Sequence, residues 1–133
     1  MSSSESARLL AEQLAAEQLV VEVVTHRRTA VVALRGELDI ATVAKVAEAM
    51  DDLEPQADGV RQIVLDLRGL SFMDVLGLNE LIKQNEYARS NGHNLTVVRG
   101  SDAIHRMLKL TGVEDHLVLV DDPDDLVPPP VTR

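Results

Sequence analysis

The sequence predicts an α/β layer fold, a four- to five-stranded mixed and largely parallel sheet with helices packed on it, in the order β-β-α-β-α-β-α-β. Three observations predict it. Short runs rich in β-branched residues recur along the chain, at Val20–Val24, Ala30–Arg35, Gln62–Leu67, Leu95–Val98 and Leu117–Val120. The segments between the later runs carry apolar residues at spacings of three and four, the helical period. The Gln62–Leu67 run is apolar at both parities, as in a central strand buried on both faces.

The elements follow in order. Ser4 or Ser6 is the expected cap of a first helix through Ala7–Leu19, where Leu10 and Leu14 share a face. This N-terminal extension, residues 1–18, is short enough to be marginal as an isolated helix. It reads either as a frayed lead-in or as a docking or dimerisation helix. The first two strands form a hairpin across a turn at Thr25–Thr29. Gly36-Glu37-Leu38-Asp39 ends the second strand, and a helix follows with Val43, Val46, Ala47, Met50 and Leu53 on one stripe. Pro55 is expected to stop it.

After the Gln62–Leu67 strand, Arg68–Met73 reads as a loop. Asp74 is the expected N-cap of the next helix, which buries Leu78, Leu81 and Ile82 and ends near Asn91-Gly92. Ser101 caps a short helix with Ile104, Met107 and Leu108 inward, closed by Gly112. The domain is expected over 19–120. Residues 121–133 form an acidic, Pro-rich tail, extended at Pro128–Pro130.

Charge and composition exclude several functions. The net charge of −9 is uneven: residues 1–26 carry −3, 27–113 carry −1 and 114–133 carry −5. Nucleic-acid binding needs a basic stripe, and one Phe, one Tyr and no Trp leave little for bases to stack on. With no cysteine there is no disulfide or thiolate chemistry. No run reaches the roughly 20 apolar residues of a membrane span, so no direct membrane insertion is expected. The opening Met1-Ser2-Ser3-Ser4-Glu5 has no secretory pattern, and the cytoplasm is the expected location.

No assembled catalytic set or cofactor site is evident. The glycines form neither a dinucleotide fingerprint nor a phosphate loop. His26, His93, His105 and His116 match no standard metal spacing, and Asp121–Asp125 lacks the glycine and terminal glutamate of an EF-hand loop. No serine lies in a nucleophile elbow. Asp39 and Asp74 would make an acid pair only if the fold joined them, and helix capping accounts for each. A protein-binding module, not an enzyme, is the expectation.

Two segments are specific: Gly36-Glu37-Leu38-Asp39 before a helix, and Ile63 through Leu78, reading IVLDLRGLSFMDVLGL. With the later Leu108-Lys109-Leu110-Thr111-Gly112, in this order and spacing, the chain resembles STAS domains of the anti-sigma-factor antagonist family from about residue 19 to 120. The resemblance implies the STAS-like form of the α/β fold. It also implies a partner, an anti-sigma factor of the ATPase-fold serine kinase type, whose binding frees a sigma factor. In such antagonists the serine after the loop aspartate, in a pattern like Asp-Ser-x-Gly-Leu, is phosphorylated to switch the protein off.

Here the matching stretch is Asp74-Val75-Leu76-Gly77-Leu78, so the phosphoacceptor position holds Val75, which has no hydroxyl. Two readings follow: binding without phosphorylation, or use of another hydroxyl, Ser71 or Thr42. The expected partner surface is Asp39, Thr42, Ser71, Asp74, Val75, Leu76, Gly77 and Leu78. Whether Val75 faces solvent or core stays open at this level, and a homodimer is compatible with the sequence. The alternative function is a STAS regulatory or scaffold subunit of another complex, such as a lipid-transport ATPase or a stress-sensing assembly.

Overall fold

The computed structural model describes residues 2–53 and 59–122, without the side chains of 15–17. The elements are α1 (Ser3–Gln18), β1 (Leu19–His26), β2 (Thr29–Leu38), α2 (Val43–Leu53), β3 (Gln62–Met73), α3 (Val75–Ser90), β4 (Asn94–Val98), α4 (Asp102–Leu110), a 3₁₀ turn (Val113–His116) and β5 (Leu119–Val120). They form one five-stranded sheet in the order β1-β2-β3-β4-β5. β1 and β2 pair antiparallel and all later pairs are parallel. Because β2 to β5 lie side by side in chain order, right-handed crossovers put α2, α3 and α4 on one face.

The core lies between that face and the helices. Ala30, Val32 and Leu34 of β2, Ile63, Leu65 and Leu67 of β3, and Leu95 and Val97 of β4 meet Val46 and Met50 of α2, Leu78 and Leu81 of α3, and Ile104 and Leu108 of α4. The expected double burial of β3 holds, since Val64 on the opposite face is also fully buried. β1, at the sheet edge, leaves Val20, Val23 and Val24 exposed.

Several boundaries differ from expectation. Ser2 caps α1 through its Oγ, which accepts from the Glu5 amide (3.2 Å), in place of Ser4 or Ser6. α1 leaves Leu9, Leu10 and Leu14 exposed. The hairpin turn is only Arg27-Arg28, with Arg27 at φ 54°. The last strand is shortened to Leu119–Val120 and follows a 3₁₀ turn at Val113–His116. The stop assigned to Pro55, and the tail from 123 onward, lie outside the described residues.

The largest correction concerns Arg68–Met73, which is the second half of β3 and not a loop. Two register shifts against β2, between Ala33 and Arg35 and between Gly36 and Glu37, give β3 extra residues. Each bulge resets which parity faces inward. Leu67, Leu70 and Met73 are buried while Ser71 and Phe72 are both exposed, so the strict alternation that marks a strand is lost. Gly36, at φ 111°, lies beside this irregular stretch, and a Cβ there would sit 2.0 Å from the Gln18 carbonyl oxygen. Glycine is needed there for both reasons.

Candidate functional site

β4 pairs with β3 only as far as Asp66↔Val98; beyond that point β3 pairs with β2 alone, through Leu38↔Met73. This extension, flanked by β1 only as far as Leu19↔Gly36, runs into the starts of α2 and α3 and carries the candidate site.

The connection from β2 to α2 is a closed hydrogen-bonded turn. Thr42 Oγ1 donates to the Glu37 carbonyl (2.8 Å) and accepts from the Asp39 amide (3.0 Å). Asp39 Oδ1 accepts from the Ala41 amide (3.0 Å), and the Val43 amide donates to the Asp39 carbonyl (2.8 Å). Thr42 is fully buried, so it orders the turn and presents no hydroxyl to a kinase. Its expected role as an alternative phosphoacceptor is corrected on that ground: its Oγ already both donates and accepts inside the fold.

α3 starts as the sequence predicts. Asp74 Oδ1 accepts from the Gly77 amide (2.9 Å), one of the orphan donors of a helix start. The Asp74 amide donates to the Leu38 carbonyl (3.1 Å), tying the helix start to the end of β2. A Cβ on Gly77 would lie 2.8 Å from both the Leu38 carbonyl oxygen and Leu38 Cγ, so glycine lets α3 sit directly on β2. Asp39 and Asp74 come to the same sheet edge, yet each carboxylate serves its own turn.

Leu78 turns inward and is buried. Its place in the expected contact surface is therefore corrected: it lies on the core-facing stripe of α3 with Leu81. Val75, by contrast, is 61% exposed, and Leu76 43%. Two residues the sequence reading missed join them: Ile40, 74% exposed in the β2–α2 turn, and Phe72, 50% exposed on β3 beside Glu37. All four are exposed apolar residues at the ends of β2 and β3 and the starts of α2 and α3, near Asp39, Ser71 and Asp74 in sequence. Ser71 is exposed and its Oγ donates to the Gly36 carbonyl (3.1 Å). The signal that could have found Phe72 is plain in retrospect: it is the single phenylalanine, set between polar and capping residues. Ile40 follows the capping Asp39, where an apolar residue has no helical stripe to join.

Asp66 ends the fully paired part of β3. Its carboxylate accepts from the Arg68 amide (3.0 Å) and from the Arg68 guanidinium, Nε at 3.0 Å and Nη2 at 2.8 Å. Burial alone would raise its pKa; the Arg68 side-chain and backbone hydrogen bonds, with the arginine charge, outweigh burial and hold the carboxyl below its usual value. The carboxylate thus holds a backbone amide two residues on, within a bulged strand.

The comparisons with known proteins agree with this geometry. The family model described as Mlab, STAS domain, matches residues 21–121. The anti-sigma-B factor antagonist of Staphylococcus aureus (strain NCTC 8325 / PS 47) is 31% identical over 97 residues, covering 73% of this chain and 88% of that one. An anti-sigma factor antagonist from Mycobacterium paratuberculosis superposes with a TM-score of 0.71 at 27% identity, covering 80% of this chain and 89% of that one. SpoIIAA, an anti-sigma factor antagonist in its unphosphorylated form, shares the fold at a TM-score of 0.62 and 22% identity, covering 80% and 90%. Family match, identity and fold converge: the chain belongs to the STAS-domain family of anti-sigma-factor antagonists.

Proposed function

We propose that this protein binds an anti-sigma factor through the patch at the starts of α2 and α3, and that it does so without a phosphate switch at position 75. The observation that carries the reading is the exposure of Val75 at the first residue of α3, where the family resemblance puts a phosphoacceptor serine. An apolar residue there keeps the surface in a permanently binding-competent state. Ile40, Phe72 and Leu76 add exposed apolar side chains at the same end of the fold, of the kind that marks protein-binding sites. Asp39 and Asp74 supply polar neighbours, and their side chains order the turns at the starts of α2 and α3 before the partner arrives.

The partner is an anti-sigma factor of the ATPase-fold serine kinase type, the protein is not itself an enzyme, and it acts in the cytoplasm. Ser71 remains unmodified in this scheme, although it is the hydroxyl of the patch that solvent reaches. The test is direct. The protein is mixed with the candidate kinase-type anti-sigma factor, with and without ATP, and its intact mass and complex formation are followed. Unchanged mass with a stable complex in ATP is the expected result. Phosphate incorporation that disappears in Ser71→Ala would replace the scheme with a relocated switch. Failure to bind any anti-sigma factor, with capture of transport-ATPase subunits instead, would replace the partner.

A further inference from the structure

At the opposite end of α3 from Val75, a cleft of about 310 Å³ opens between the C-terminal ends of α2 and α3, above the start of β3. That volume falls at the lower end of the range of small-molecule sites, about 300–1,000 Å³. Its floor is apolar: Met50, Leu53, Val60 and Ile63 line it and are themselves buried. Its rim carries two basic side chains, Arg61 and His93.

The backbone holds Arg61 in place. Its amide donates to the Arg28 carbonyl (2.7 Å) and its carbonyl accepts from the Asn94 amide (2.9 Å). Its guanidinium pairs with no carboxylate among the described residues, whereas Arg35, Arg68 and Arg99 each have one. An arginine without a carboxylate partner among the described residues thus stands at the rim of an apolar floor.

Among the described residues, two nearby acids are turned away or engaged. Asp52, on α2, lines the separate groove toward Val21 and Val23 of β1. Glu80 accepts from Gln84 Nε2 (2.9 Å). The last carbonyls of α3, which would repel an anion, accept bonds from the residues after the helix: Asn91 binds Tyr87 and Ala88, Gly92 binds Arg89, and His93 binds Ala88 through its amide.

We propose that this cleft binds a small amphipathic monocarboxylate, its apolar tail on the Met50–Ile63 floor and its carboxylate on Arg61 and His93. A cation of the same shape would meet Arg61 as a like charge. A neutral analogue would leave the guanidinium without a partner.

The test uses the chain alone, so its outcome is independent of partner binding. Octanoate is the probe, with octanol and octylamine as shape-matched controls, followed by calorimetry and by backbone amide shifts. Octanoate is expected to saturate, with shifts at Val60, Ile63, Ala88 and His93, and to bind at least about tenfold tighter than octanol, the typical value of a charge-assisted contact. Arg61 is exposed, so Arg61→Gln should fold normally, weaken octanoate about tenfold and leave octanol unchanged. Absence of saturation, equal binding of the three probes, shifts centred elsewhere, or an unchanged octanoate affinity in Arg61→Gln would each overturn the site.

Discussion

Replacing Val75 by aspartate puts a carboxylate in the middle of the apolar patch without touching the core, and the two consequences separate cleanly. Full burial of a valine side chain stabilises by about 1.5–3 kcal/mol. With 61% of Val75 still exposed, covering it with a partner contributes roughly 1–2 kcal/mol. Val75→Ser forfeits that amount, about tenfold in affinity. Val75→Asp forfeits it and must also desolvate a charge, which costs several kcal/mol if no cation faces it. The expected loss is on the order of 100-fold or more.

Folding responds differently. An acid at the first residue of α3 is favourable by about 0.3–1 kcal/mol, because helix N-termini attract negative charge. Repulsion from the neighbouring Asp74 offsets part of this, and solvent screens it. Net stability should move by less than about 0.5 kcal/mol. Calorimetric titration against the anti-sigma factor and urea unfolding of the free protein measure the two quantities. A stability loss as large as the binding loss would refute the assignment of Val75 as a surface contact. Affinity within twofold of the parent would refute the patch as the docking site.

Three further outcomes follow from the same geometry. Gly77→Ala should destabilise by about 1–3 kcal/mol despite alanine's better helix propensity, because its Cβ would press on the Leu38 carbonyl; a lower urea midpoint tests this, and an unchanged one would mean α3 shifts freely. Asp74→Ala should cost about 1 kcal/mol through loss of the cap to the Gly77 amide, read in the same way, with no loss meaning that water replaces the carboxylate. Asp66 has a folded pKa below its usual 3.8, so its contribution to stability is complete above that value and disappears as pH falls through the lower folded pKa. Asp66→Asn should therefore flatten the acid limb of the stability profile below about pH 4, and an identical limb would show that Arg68 contributes nothing net.

The elements that were legible in the sequence are those where one period dominates. β2, the first half of β3, and the stripes of α2 and α3 show it clearly, and Asp74 and Ser101 cap the predicted helices. Arg68–Met73 was illegible as strand because two bulges break the alternation, and a bulge is fixed by pairing with β2, a long-range event. Thr42 shows the other limit. Its hydroxyl looked available in sequence, and only the turn around Asp39 reveals that it is consumed internally. Leu78 shows a third: a motif aligns residues by order, whereas a helix sends neighbours to opposite faces, so Val75 and Leu76 point out while Leu78 points in.

The extension of β2 and β3 past the end of β4 has a mechanical consequence. β1 flanks this strip as far as Gly36, so only its tip, Glu37–Leu38 against Phe72–Met73, is a ribbon of two strands without lateral support, a short cantilever anchored at Leu70 and propped by the start of α3 against Leu38. Fluctuations of such an arm can open with far less free energy than unfolding the sheet. Amide exchange should then fall into two tiers, faster at Phe72 and Met73 than from Ile63 to Leu67. Compliance at the tip lets the same patch settle against partners of slightly different contour, while the five-stranded body keeps its shape.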